Sequence, residues 1–202
     1  MTTAETLASL AHDIKACQAC PLHAGRLQAV PGDGNPESEI VFIGEGPGQK
    51  EDQLGSPFVG AAGKFLDTML ESIGLARKNV FVTNVVKCRP PENRDPEPFE
   101  ILTCTELFLW KQIEAIDPKL IVTLGRHSMG LFLPPDMKIS QVHGQPKRIH
   151  RSVPSTVEGP EEKWVILPLY HPAAALYNGG MRETLLADFK KIPAVLKKIT
   201  TS

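Results

Sequence analysis

The chain has 202 residues, 42% of them hydrophobic, with a formal net charge of -1; that length suffices for one well-buried core and indicates a single domain over 1–202. Near-neutrality excludes a strong global field toward nucleic acid or anionic lipid, although a local basic stripe is enough for phosphate contacts. The longest apolar runs, "KLIVTLG" and "WVILPLY", fall far short of the roughly 20 residues of a membrane helix, and the N-terminus has no basic-then-apolar leader, so a soluble cytoplasmic protein without a membrane partner is expected.

In chain order, "MTTAETLASLAHDIKAC" reads as an amphipathic helix. A first β-rich run follows at 39–44 ("EIVFIG"), a helical apolar pattern at 62–74 (Phe65, Leu66, Met69, Leu70, Ile73) and a second strand at 80–86 ("VFVTNVV"). "PPENRDPEP" (90–98) reads as a surface loop and 98–116 as a helix through Ile101, Leu102, Leu107, Leu109, Ile113 and Ile116. A third strand at 120–125 leads into a short helix after Gly125. A loop at 150–163, a fourth strand at 164–170 and an amphipathic helix at 181–198 complete the chain. Strands that are almost continuously apolar are covered on both faces, so the alternation predicts a three-layer α/β/α sandwich around a four-stranded parallel sheet.

Ligands of such sheets sit beyond the carboxyl ends of the strands. Those ends carry Glu45, Asn84, the group Gly125, Arg126, His127 and Ser128, and finally His171. Polar chemistry therefore converges on one edge.

Of the four cysteines, Cys17 and Cys20 form "CQAC", whereas Cys88 and Cys104 are separated by fifteen residues. A cytosolic setting disfavours disulfides, and a CxxC that precedes every strand disfavours a thioredoxin-like dithiol. A four-thiolate metal site is the better reading, with zinc and an iron-sulfur cluster both compatible with the spacing.

The glycine-rich stretch "GEGPGQ" (44–49) fits no phosphate loop. Gln49 stands where a dinucleotide fingerprint needs glycine, and "GAAGKF" (60–65) lacks the Walker spacing and its final Ser or Thr. The plain alternative is a turn in which Glu45 caps backbone N–H groups and Phe58 fills the core.

Taken together, "GEGPG..ED......PFVG.AG", "TNVVKCRPP.NR.P" and "HPAA" resemble the family 4 uracil-DNA glycosylases, the iron-sulfur branch of their superfamily. The similarity runs from "CQACPL" to the final helix. The resemblance implies a [4Fe-4S] cluster on Cys17, Cys20, Cys88 and Cys104. It also implies a pocket for a uracil rotated out of DNA, and a monofunctional enzyme working as a monomer with the prokaryotic nucleoid. Asn84 then reads uracil, accepting from N3–H and donating to O4, a pattern that cytosine meets with the wrong sign. Phe58 is the stacking platform, and Glu51 stands beside C5, where it excludes the thymine methyl. His171 donates to O2 as negative charge develops there. Glu45, on the turn with Gly44 and Gly46, orients water and stabilises the cationic sugar. Gly46 occupies the position where the better-known branch carries an aspartate. Leu176, with Tyr177 as alternative, is the wedge that fills the vacated stack. Phosphates are met by Arg89, Lys87, Lys147 and Arg148 and by helix entries near Ser128 and Ala61. "KRIH" (147–150) is similar to the histidine-bearing insertion of relatives that crosslink to DNA. Theirs precedes the later cysteine, an interval without histidine here, so turnover is expected.

Overall fold

The computed structural model describes residues 1–150 and 163–200. Its strands are β1 (Asp33–Gly34), β2 (Ile40–Gly44), β3 (Phe81–Asn84), β4 (Leu120–Leu124), β5 (Lys147–His150) and β6 (Lys163–Leu169), in the order β1-β3-β2-β4-β6-β5. The four inner strands are parallel, as their apolar runs predict. Two short antiparallel edges, β1 and β5, extend the expected four-stranded sheet to six. Neither edge has an apolar run to announce it: β1 is only Asp-Gly, and β5 is the polar "KRIH". The loop expected at 150–163 otherwise lies outside the described residues.

The helices before β4 are α1 (Thr3–Ala16), α2 (Gln49–Leu54), α3 (Ala61–Glu71), α4 (Pro98–Cys104) and α5 (Trp110–Ile116). After it come α6 (Arg126–Met129), α7 (Ile139–Val142), α8 (Ala174–Tyr177), α9 (Gly179–Phe189) and α10 (Ile192–Thr200). α1 starts on a capping box in which Glu5 N–H donates to Thr2 Oγ1 (3.2 Å) and Thr2 N–H donates to Glu5 Oε2 (2.8 Å). A π-helical stretch, Thr105–Leu109, joins α4 to α5, so the expected helix over 98–116 is continuous. The single closing helix expected at 181–198 is instead two, α9 and α10. Pro193 has no N–H to continue α9's ladder and sits in the first turn of a new helix.

Strand alternation sorts the core into two layers. Val41, Ile43, Ile121 and Ile166 pack with Leu7, Leu10 and Ile14 of α1 and Ile113 of α5. Ile40, Phe42, Val122 and Leu167 pack with Leu66 and Met69 of α3, Phe189 of α9 and Ile192 of α10. Phe42 stacks on Phe189 with ring centroids 5.6 Å apart. Among the described residues no helix is long and apolar enough to cross a membrane.

Candidate active site

β2 and β3 end side by side, with Gly44 opposite Asn84. Beyond Asn84 the chain turns, yet Val85 and Val86 still donate to Gly44 O and Glu45 O at 2.9 and 3.1 Å. β3 therefore stops two residues short of its expected end while its last side chain stays fixed against β2. On the other side Gly125 donates to Leu169 O (2.8 Å), and its φ of 98° lets the chain leave β4 beside His171. A pocket of about 400 Å³ opens on this edge, lined by Glu45, Glu51, Phe58, Asn84, His171 and Tyr177 among others.

Asn84 is 1% exposed, and its Oδ1 is buried without a hydrogen-bond partner. Such an acceptor costs about 1–3 kcal/mol unless something supplies a donor. A Cβ on Gly44 would come within 2.3 Å of that oxygen and 2.6 Å of Phe58 Cζ. Glycine is thus what keeps the space between amide and ring open. Gly46 is excluded from having a side chain by Val86 Cγ2, which a Cβ would meet at 2.8 Å.

The backbone of Asn84 is held from behind. Lys87, expected on the surface against phosphate, is instead 1% exposed and donates from Nζ to Thr83 Oγ1 (2.6 Å), Asn84 O (2.7 Å) and Gln112 Oε1 (2.7 Å). Burial lowers its pKa to about 8, a fall that negative charge on Cys104 opposes. Three acceptors for three donors make this buried ammonium a brace for the strand end. Lys87→Met strands those acceptors, so we expect a thermal midpoint about 5–10 °C lower, measured by calorimetry, from a loss of a few kcal/mol.

Phe58 is buried, and its φ of 53° lies in the left-handed region. A bulky aromatic there costs on the order of 1–3 kcal/mol and persists only where its surroundings over-determine it. Its ring stacks near His171, centroids 5.6 Å apart. Glu51 lines the pocket, but its Oε1 also accepts from Val59 N–H (2.9 Å) and Gly60 N–H (2.8 Å), so it anchors the Phe58 loop as well. The same carboxylate covers the entry to α3 at Ala61, leaving that helix start a poorer phosphate site than the sequence indicates.

The protonation state of His171 follows from its surroundings. Ala173 N–H donates to Nδ1 (3.2 Å), which makes Nδ1 an acceptor and puts the proton of a neutral ring on Nε2. Burial lowers its pKa to about 4, against a small opposing pull from Glu51. The ring is thus a neutral N–H donor at physiological pH.

Glu45 is half-buried, and desolvation pushes its pKa up. His127 Nε2, 3.7 Å from Glu45 Oε2, opposes this, whereas Asp95, 3.4 Å from the same nitrogen, adds to it. Arg126 pairs with Asp95, and its Nε donates toward His127 Nε2 (3.1 Å). Sequence reading placed His127 on this edge without a role and missed Asp95, which arrives from the loop before α4.

The DNA-contact candidates divide. Tyr177 lines the pocket and is 91% exposed, whereas Leu176 is 45% exposed and off the pocket wall. Arg89 is half-buried, donating to Asn93 Oδ1 (2.9 Å) at the pocket rim. Arg94, quoted in a motif but given no role, lines the pocket and is pinned bidentately to buried Glu100 at 2.7 and 2.9 Å. Ser128 is buried, its hydroxyl donating to Gly125 O (3.3 Å), so it faces the fold rather than a phosphate. β5 runs antiparallel to β6 from Lys147, opposite Ile166, to His150, opposite Lys163, away from the carboxyl edge. Lys147 and Arg148 are therefore not at this pocket, and Arg148 lines a separate cavity with Val165 and Val195.

The four cysteines lie behind Asn84, on the α1 and α5 side of the sheet. Cys17 caps α1, Cys20 opens a 3-10 turn, Cys88 follows β3 and Cys104 ends α4. All four are free. Burial raises the pKa of Cys20, Cys88 and Cys104, the last to about 11, and neighbouring thiols add to the rise at each. Donors are already aimed at the sulfurs: Arg26 Nη1 at Cys88 Sγ (3.0 Å), Lys87 N–H at Cys104 Sγ (3.3 Å) and Ala19 N–H at Cys17 Sγ (3.4 Å). Four thiols that meet in one core cluster, with N–H donors turned toward three of their sulfurs, fit a metal group bound through thiolates.

A model of the uracil DNA glycosylase superfamily matches residues 31–197. The chain is 45% identical over 201 residues to a type-4 uracil-DNA glycosylase of Saccharolobus solfataricus, covering 95% of this chain and 87% of that protein. This chain belongs to the type-4 uracil-DNA glycosylases. It is also 47% identical over 189 residues to the type-4 uracil-DNA glycosylase of Sulfurisphaera tokodaii, covering 93% and 84% of the two chains. The corresponding protein of Archaeoglobus fulgidus is 46% identical over 192 residues, covering 93% and 92%. The α/β sandwich expected of a uracil-DNA glycosylase is the fold found, with its parallel inner strands in place.

Proposed function

We propose that this protein hydrolyses the N-glycosidic bond of uracil in single- and double-stranded DNA, releasing free uracil and leaving an abasic site. The observation that carries the reading is the unpartnered Asn84 Oδ1, buried in the pocket between Gly44 and Phe58. A flipped uracil supplies the missing donor from N3–H, stacks on Phe58 and accepts at O2 from His171 Nε2–H. Unstacking the base costs a few kcal/mol, which these contacts offset. Glu45 faces the sugar, where an anion stabilises oxocarbenium-like charge and orients water. Tyr177 is favoured over Leu176 as the wedge, being the exposed aromatic on the pocket wall. Cys17, Cys20, Cys88 and Cys104 hold a [4Fe-4S] cluster, whose contribution is to tie the N-terminal segment to β3 and α4. The protein acts as a single-domain monomer.

A labelled uracil-containing oligonucleotide tests the reading on one gel. Strand cleavage after alkali is expected. A shift only under native conditions would mean binding without turnover, and a shift surviving denaturant would mean a covalent adduct; either defeats the proposal. The position of β5, with "KRIH" leading away from the pocket, favours turnover.

The pH profile separates the two titrating groups. His171 is already neutral above about pH 4, so it contributes no limb near neutrality. Glu45, raised above its usual 4.5, loses its charge as pH falls and sets the acid limb. Glu45→Gln is expected to abolish that limb and lower kcat about 10²-fold or more. His127→Phe removes the neighbour that holds the Glu45 pKa down and is expected to move the limb to higher pH.

A further inference from the structure

Glu51 accounts for the N–H groups that follow Phe58 but not for the carbonyl of Phe58 itself. That carbonyl accepts from Arg77 Nη2 at 2.6 Å. Arg77 is held in turn by Asp67 of α3, whose Oδ1 accepts from Nε at 2.6 Å, and its guanidinium carbon lies 5.8 Å from the Phe58 ring centroid. The first turn of α3 closes on the same carbonyl: a Cβ on Gly63 would stand 1.7 Å from Phe58 O. Arg77 itself lies in the 3-10 turn Arg77–Asn79, immediately before β3, the strand that ends in Asn84. One side chain thus spans from the turn that leads into the strand with the base-reading amide to the loop that carries the stacking ring. It lines no part of the pocket.

From this juxtaposition, and resting on the uracil reading above, we infer that Arg77 is the positioning residue of the stacking platform. It holds Phe58 in its left-handed conformation at a set distance from Asn84, so that the slot for a planar pyrimidine exists before the base arrives. Three features separate this role from an ordinary surface ion pair. The acceptor is a main-chain oxygen of the pocket residue rather than another charge. The residue so held has the positive φ that requires outside support. The guanidinium fork engages two acceptors at once, which a lysine point charge reproduces only in part. A preformed slot spares the ordering cost of the loop at each binding event. The benefit is equal for bound substrate and transition state, and therefore belongs to KM rather than to kcat.

The test compares Arg77→Met, Arg77→Lys and the parent, all with the cluster loaded. For Arg77→Met we expect KM for uracil-containing DNA and the inhibition constant of free uracil each to rise about tenfold, with kcat changed less than about threefold. Arg77→Lys should recover part of the loss. In a Phe58→Ala background, Arg77→Met should add nothing to the inhibition constant, because the platform it serves is gone. Hydrogen exchange at the Val59 and Gly60 amides, measured without DNA, should quicken in Arg77→Met. A lower melting temperature with KM, uracil inhibition and exchange all unchanged would overturn the inference and leave Arg77 a structural residue only. Were Arg77→Met not to fold, Arg77→Lys with the same readouts would decide alone. Failure of the parent to release uracil would defeat the glycosylase reading instead, and the exchange measurement would still judge the brace.

Discussion

Asn84→Ala is expected to lower kcat/KM on uracil-containing DNA by about 10³. The substitution removes an acceptor for N3–H and a donor for O4, each about 2 kcal/mol when the partner is left buried and unpaired, and about 1.4 kcal/mol corresponds to tenfold in rate. Folding should not suffer in parallel. Asn84 Oδ1 has no partner in the free protein, so truncation relieves a buried unsatisfied acceptor, and the thermal midpoint should hold or rise. The brace on its backbone, from Lys87 Nζ to Asn84 O, is untouched. Asn84→Asp should be at least as damaging, because an anion would face O4 of uracil. Single-turnover release of labelled base checks both, and a parent-like rate for Asn84→Ala would remove the amide from recognition.

The second large effect is expected at the cysteines. Cys88→Ala should abolish the visible absorbance of an iron-sulfur chromophore and the bound iron, and lower the melting temperature by about 10 °C or more. At about 2–4 °C per kcal/mol for a chain of this size, that corresponds to several kcal/mol of lost tethering. Cys17 and Cys20 lie between α1, anchored by Leu7, Leu10 and Ile14, and a stretch held by Arg26 to Lys15 O and Cys88 Sγ and by Leu27 and Gln28 N–H to Asp52. Without the metal group, thiols whose burial already disfavours ionisation have no charge to meet, and Arg26 loses its sulfur partner. Base release should fall as well, since Cys88 stands four residues beyond Asn84 on the stretch that pairs Val85 and Val86 with the β2 end. Iron content, visible absorbance and calorimetry check the first claim. An apo variant that melts with the parent would make the cage dispensable for stability.

The sheet and the edge that carries the pocket could be read from residue order because the physics involved is local. Each inner strand is an apolar run that only a doubly covered strand explains, and polar side chains stand at or within a few residues of each carboxyl end. Glu45, Asn84 and His171 could therefore be placed together by position at strand ends, and they line one pocket. The two antiparallel edges were not legible, since a two-residue strand and a polar one carry no periodicity. The break between α9 and α10 was visible in principle at Pro193.

What the linear order could not reveal is which polar groups meet across it. A lysine beside a cysteine in "VVKCRPP" reads as surface charge; only the packed fold turns Lys87 inward, because Thr83, Asn84 and Gln112 offer three acceptors at one buried point. Ser128 was misplaced outward for the same reason. The tautomer of His171, the left-handed turn of Phe58, the grip of Arg77 on it and the neighbourhood of Glu45 with His127 and Asp95 all arise from contacts between distant segments. Sequence alone determines the layers, the strand ends and the family, because backbone periodicity and motif order are properties of neighbours. Charge states and side-chain directions depend on desolvation and on partners far along the chain, and only the tertiary structure decides those.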